Sequence, residues 1–111
     1  MTPLTPAVFH ILLALAGGDR HGYGIMQDIA KHTDGSLRMG AGTLYGTIQR
    51  LMDAELVREV ESPPPQTVRD ERRRHYRLTA AGRRALDAEV QRLEELVRLA
   101  RGVRPVARSR S

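Results

Sequence analysis

The sequence has no cysteine, no tryptophan, one phenylalanine and one lysine. Without cysteine there is no disulfide framework, no thiolate zinc site and no cysteine nucleophile. With aromatics at 4% of residues, aliphatic side chains must build the core. The most apolar segment, Ile11 to Ala16, falls far short of the roughly 20 residues that span a bilayer. Met1 leads into Thr2-Pro3-Leu4-Thr5-Pro6 with no basic stretch before an apolar run, so no signal peptide is expected. These absences predict a soluble, cytoplasmic protein that does not engage a membrane. No nucleophile-base-acid set and no glycine-rich phosphate loop after a strand is visible, so the expectation is that the chain is not an enzyme. His10, His21, His32 and His75 lack metal-ligand spacing, and neither metal nor cofactor is expected.

What is abundant is positive charge. Eighteen basic residues face 13 acidic ones in 111 residues, a formal net charge of +5. Lys31 is the only lysine, so arginine carries nearly all of it. Arginine pairs bidentately with phosphate and with guanine, which points to nucleic acid first and an anionic membrane surface second. The length suits one domain with an added helix.

Thr5-Pro6 opens a first helix, with Thr5 as cap and Pro6 where a missing N–H costs nothing. Val8, Leu12 and Leu15 form one stripe, with Phe9, Leu13 and Ala16 beside it, and Gly17-Gly18 ends the helix. A second helix runs to about Thr33, with Ile25 and Ile29 at buried spacing. Gly22 and Gly24 are poor helix formers, and their presence here predicts close backbone approach to a neighbour. Ser36 to Met39 alternates and reads as a very short strand.

The chain is organised around Gly40 to Met52. Leu44, Ile48, Leu51 and Met52 form an apolar stripe. The other side carries Thr43, Gly46, Thr47, Gln49 and Arg50, and no carboxylate appears until Asp53. An acid-free face does not repel a polyanion, and Gln and Arg make bidentate contacts with adenine and guanine edges. An ordinary polar helix face is the competing reading of this stretch alone.

Val57 to Ser62 reads as a strand, Pro63-Pro64-Pro65 stops it, and Arg73 to Leu78 returns as a second strand. This makes a hairpin whose tip and return strand carry Arg69, Arg72, Arg73, Arg74 and Arg77. Tyr76 is expected to pack at the hairpin base. Thr79 caps a last helix over residues 80–102. Arg83 and Arg84 sit in its first turn, where the dipole opposes cations by roughly 0.3–1 kcal/mol each, and Asp87 is the expected offset, with a DNA phosphate as the alternative. Gly82 is expected to let this helix pack closely on the hairpin. Leu86, Val90, Leu93, Val97 and Ala100 form a coiled-coil-like seam, widened by Leu96 and Leu99. A surface broader than one seam favours packing on a second copy over folding back on its own domain.

Three helices, a basic hairpin and a long helix point to a mainly α fold with a small β-hairpin: a winged helix-turn-helix over residues 1–79, a dimerisation helix over 80–103 and a disordered basic tail over 104–111. In that geometry the third helix enters the major groove and the wing follows the backbone. The expected DNA contacts are Thr43, Tyr45, Thr47, Gln49, Arg50, Arg72, Arg73 and Arg74. The expected dimer interface is Leu86, Val90, Leu93, Leu96, Val97, Leu99 and Ala100.

The chain also resembles the PadR family of bacterial transcriptional regulators, in its short type with a single C-terminal dimerisation helix. The matching residues are His21-Gly22-Tyr23-Gly24-Ile25, Gly42-Thr43-Leu44-Tyr45 with Leu51, and Arg74 to Gly82, spread over about residues 7 to 100. The resemblance implies a homodimer on an inverted-repeat DNA operator, usually as a repressor, and a small-molecule effector near the dimer interface. It places Tyr45 near the DNA backbone. Two features depart from the family: a longer, more proline-rich wing loop and a last helix without aromatic residues. The alternative function is a winged-helix protein-interaction module without specific DNA binding.

Overall fold

Helix α1 (Pro6–Ala16) starts as its sequence requires. The Thr5 Oγ1 accepts the Val8 N–H at 3.2 Å, and Pro6 occupies the first turn. The structure is a computed structural model that describes residues 3–61 and 74–103. Ile11, Leu12, Ala14 and Leu15 of α1 are buried, and the helix touches α2, α3, the sheet and the last helix. It is the central post of the core. Leu13 sits on the outer side of α1, 36% exposed.

After Gly18, at φ 138°, the chain forms a two-residue strand β1 (Arg20–His21) and enters α2 (Gly22–His32). His21 is the N-cap of α2, its Nδ1 accepting the Gly24 N–H at 2.9 Å. Ser36 to Met39 is not a strand. The Thr33 hydroxyl accepts the Leu37 N–H at 3.1 Å and Ser36 Oγ donates to the Thr33 carbonyl at 2.7 Å, so local side-chain bonds fold this segment as a turn.

Helix α3 (Ala41–Asp53) buries Leu44, Thr47, Ile48 and Leu51. Strand β2 (Val57–Val60) and strand β3 (His75–Leu78) then pair antiparallel, Arg58 opposite Arg77 and Val60 opposite His75. The sheet has three strands rather than two, in the order β1-β3-β2, with Arg20 opposite Tyr76 and His21 opposite His75. Both hairpin strands are shorter than their sequence implies, and β1 is too short for any alternation to mark it.

Helix α4 (Ala80–Gly102) is 23 residues long, about 34 Å at 1.5 Å per residue. Its start is knitted to the turn after α3. The Thr79 Oγ1 donates to the Glu55 carbonyl at 2.7 Å and accepts the Gly82 N–H at 2.9 Å, while the Thr79 N–H donates to the Leu56 carbonyl at 3.1 Å. A Cβ at Gly82 would overlap that Leu56 carbonyl oxygen and lie 2.7 Å from Leu78 Cδ1. Gly82 therefore allows the helix to press on the base of the hairpin, as its position implied.

The core joins Ile11, Leu12, Ile25, Ile29, Leu44, Ile48, Val57, Tyr76 and Leu86. Tyr76 is 2% exposed and fills the hairpin base, and burial pushes its phenol upward in pKa. Leu86 also belongs to this core, so it is not available to a second copy and leaves the expected dimer set. Glu89 is buried on the same side of α4. Its carboxylate accepts two bonds from Arg92, at 2.8 and 2.7 Å, which hold it below the usual carboxylate range.

Candidate nucleic-acid interface

The apolar stripe of α3 turns Leu44, Ile48 and Leu51 inward, which fixes what the helix shows outside. Thr43, Tyr45, Gln49 and Arg50 are exposed, with Gly42 and Gly46 among them. A Cβ built at Gly40, Gly42 or Gly46 would meet nothing within 4 Å. Packing within the chain therefore gives no reason for glycine at these places, and the helix pays about 1 kcal/mol for each interior one relative to alanine. Gly40 caps α3 without a side-chain bond, and the first turn carries no acid. Its leading N–H groups thus face outward beside a positive dipole end, an arrangement that suits an anion.

Thr47 does not belong to this outer face. It is 3% exposed, and its hydroxyl donates to the Thr43 carbonyl at 2.7 Å and accepts from Arg50 at 3.3 Å. Threonine at this helix position bonds backward to the preceding turn, and the helical phase carries it toward the core. Its neutral hydroxyl steadies the exposed Arg50. Gln49 Nε2 donates to Asp53 Oδ1 at 3.1 Å, so the first acid after the acid-free run restrains the glutamine. That bond is exposed and exchanges readily for another partner.

Tyr45 is 44% exposed and lies against Gly22 at the start of α2. The sequence signalled a close approach at Gly22 without naming the ring that makes it. Arg74 is exposed at the start of β3, 3.7 Å from Glu59 of β2. Arg72 and Arg73 lie outside the described residues, as do Arg69, the rest of the wing loop and the tail from residue 104.

Several other arginines are committed to carboxylates. Arg77 clamps Asp19 with bonds of 3.0 and 2.8 Å, and this pairing draws the Asp19 carboxyl below its usual range. Arg20 meets Asp28 at 3.4 Å, and Arg83 meets Asp87 at 3.2 Å. Arg98 pairs with Glu95. The Asp19–Arg77 clamp joins residues 58 apart. No local spacing betrays it. The Arg83–Asp87 pair is the offset that the helix dipole called for.

The C-terminal half of α4 is uncovered. Leu96, Val97 and Leu99 are about half exposed, Val103 more so, and Ala100 is exposed with them. Val90 is 37% exposed and Leu93 half-buried. With Phe9 of α1, Val90, Leu93 and Val97 line a groove of about 540 Å³, bordered by Arg98 and Arg101. Among the described residues no helix is long and apolar enough to cross a membrane, and no three His, Asp or Glu side chains gather as a metal site.

The family model for the transcriptional regulator PadR-like family matches residues 11–88. The chain belongs to that family. The match runs from the core of α1 through the sheet into α4, so it covers α3 and its outer face. Transcriptional regulator Rv3488 of Mycobacterium tuberculosis is 43% identical over 91 residues, covering 80% of this chain and 77% of that protein. A PadR family transcription regulator from Clostridium difficile R20291 is 21% identical with a TM-score of 0.71, over 86% of this chain and 94% of that one. The fold is likewise shared with Bordetella bronchiseptica BpsR, 25% identical at a TM-score of 0.65, over 96% of this chain and 72% of that one. This PadR-like chain is thus a winged-helix transcriptional regulator, a member of a family of regulators rather than enzymes. Its α3 is the third helix of the fold, β2 and β3 are the hairpin strands, and α4 is the long C-terminal helix.

Proposed function

We propose that this PadR-like chain acts as a homodimer that binds an inverted-repeat operator in double-stranded DNA, represses transcription there, and releases the DNA when a small molecule binds. The observation that carries the DNA reading is the outer face of α3. It offers Thr43, Tyr45, Gln49 and Arg50 around glycines with open space above them. Gln49 and Arg50 read base edges, while Thr43 and Tyr45 meet the backbone. Arg72, Arg73 and Arg74 of the wing neutralise phosphate.

Residues 1–79 form the DNA-binding part, and the helix over 80–103 joins two copies. Val90, Leu93, Leu96, Val97, Leu99 and Ala100 make the joint, supported by the uncovered apolar surface of α4. A two-fold dimer then sets its two recognition helices against half-sites about one DNA turn, or 34–36 Å, apart. The groove between Phe9 and α4 borders the same joint, so a small apolar molecule seated there changes the angle between the copies. BpsR, whose DNA binding is regulated by 6-hydroxynicotinic acid, supports an effector of that size.

The test is fluorescence anisotropy on the duplex upstream of the gene and on a scrambled duplex of equal length, at two salt concentrations. Tight binding to the native duplex that persists at the higher salt, with the scrambled duplex released, is expected. If the dimer neutralises about eight phosphates, log K falls with log salt at a slope near −7. Equal, salt-labile binding to both duplexes refutes the proposal and favours the protein-interaction module.

A further inference from the structure

We infer that Gly22 is a positioning residue for DNA contact: its bare backbone is the seat that holds the Tyr45 ring at the edge of the recognition helix. The inference rests on the DNA-binding role proposed for Tyr45.

Tyr45 is a large ring, close to half exposed, in the first half of α3. Such a side chain on an open surface samples several rotamers. This one is stopped on its inner side by Gly22. A Cβ at residue 22 would lie 2.5 Å from Tyr45 Cζ and 2.7 Å from Cε1, and nearer still to the hydroxyl oxygen. Ordinary carbon contacts are about 3.5–4.0 Å. Any side chain at residue 22 therefore displaces the ring.

Backbone conformation does not explain the glycine. The glycines at positive φ are Gly18 and Gly35, and Gly22 is not among them. Helix propensity argues against it as well. The approach of the Tyr45 ring does explain it. The seat is also fixed from two sides. His21, immediately before it, pairs with His75 in the sheet and caps α2 through the Gly24 N–H. Gly22 itself is buried at the first position of α2. The wing sheet, the start of α2 and the recognition helix thus meet at one contact, and the phenol hydroxyl is held against the start of α2, at the edge of the face that α3 turns to DNA in this fold.

The kind of atom at each glycine separates function from folding. The atoms crowding residue 22 are the far end of a side chain, which can rotate away. At residue 82 the crowding atom is a backbone carbonyl oxygen, which cannot. Gly22→Ala therefore leaves a folded protein with a misplaced Tyr45.

The test is a double-mutant cycle on the full chain: wild type, Gly22→Ala, Tyr45→Ala and the double variant. Phosphate contacts carry no sequence information, so any native duplex that the wild type binds serves, at one fixed salt concentration. Anisotropy gives affinity and circular dichroism the thermal midpoint. Tyr45→Ala is expected to weaken binding about a hundredfold, the loss of one charge-assisted hydrogen bond worth about tenfold in each of the two copies. Gly22→Ala is expected to weaken it about as much in wild type and less than about twofold when Tyr45 is already alanine. The same loss in both backgrounds, or no loss from Gly22→Ala, overturns the inference. Wild-type binding by Tyr45→Ala refutes the DNA role of Tyr45 itself and the inference with it. Should Gly22→Ala fail to fold, the wild type supplies the answer by NMR. Nuclear Overhauser contacts between the Gly22 Hα and Tyr45 ring protons must persist in the DNA complex, and their loss there refutes the seat.

Discussion

Gly82→Ala is the sharpest single perturbation of this fold. In a helix interior the change should stabilise by about 1 kcal/mol, from propensity alone. Here the added methyl has no room. It would overlap the Leu56 carbonyl oxygen and stand 3.0 Å from the Leu56 carbonyl carbon and 2.7 Å from Leu78 Cδ1. Relief requires α4 to lift by about 1 Å, judged against carbon contacts of about 3.5–4.0 Å. Lifting strains the bonds that anchor its start, the Thr79 N–H to Leu56 at 3.1 Å and the Thr79 hydroxyl to Glu55 at 2.7 Å. Overpacking costs about 1–3 kcal/mol. Two weakened hydrogen bonds add about 1 kcal/mol each, and the propensity gain offsets part of the sum. The expected net destabilisation is about 2–4 kcal/mol. Urea unfolding at fixed protein concentration, followed by far-UV circular dichroism, reads it directly. A Gly82→Ala protein as stable as wild type, or more so, refutes the packing of α4 on the hairpin base described here.

Gly46→Ala is the opposite case: with open space around residue 46, it should raise stability by up to about 1 kcal/mol, yet weaken DNA binding by crowding the groove. Thermal melts and anisotropy on the same sample check both halves, and a stabilised variant with unchanged affinity contradicts close approach of DNA there. Leu96→Glu with Leu99→Glu places charges on the uncovered end of α4 and should give a folded monomer in analytical ultracentrifugation, against the dimer proposed for the wild type. A variant that remains dimeric refutes that joint. Arg77 holds the Asp19 carboxyl below its usual range, and Arg92 holds that of Glu89 there. Their contribution is complete above the unfolded carboxylate values near 4 and is lost as pH falls through the lower folded values. Urea midpoints should therefore drop with acidification below about pH 4.5, and less steeply in Asp19→Asn with Glu89→Gln. Equal slopes contradict the pairing.

Helical spacing and end signals made α1, α3 and α4 legible. Thr5-Pro6 and Thr79 are caps in the structure as in the sequence, and α4 ends at Gly102. Short and long-range features were not legible. Strand β1 is two residues long and exists because β3 has a free edge to pair with. The Asp19–Arg77 clamp depends on tertiary approach, which sequence spacing does not encode; at Gly82 the close packing was readable, but its partner, the Leu56 carbonyl, was not. Thr47 was misplaced because it borders the helical stripe of α3, where phase alone does not decide between core and surface; Leu86 is in phase with the α4 seam but at the end of it that packs on the chain's own core, and spacing does not say what covers a seam. The exposed Thr43, Tyr45, Gln49 and Arg50 were readable because the buried Leu44, Ile48 and Leu51 fix the phase of α3 on both sides.

The most direct test of sequence-specific recognition through α3 is the ratio of affinities for native and scrambled duplexes, measured by anisotropy for wild type and for Gln49→Ala with Arg50→Ala. Each lost bidentate contact removes about 1–3 kcal/mol of discrimination. The ratio should therefore collapse at least about tenfold, while the scrambled duplex is bound much as before. An unchanged ratio in a folded double variant contradicts base reading by the outer face of α3.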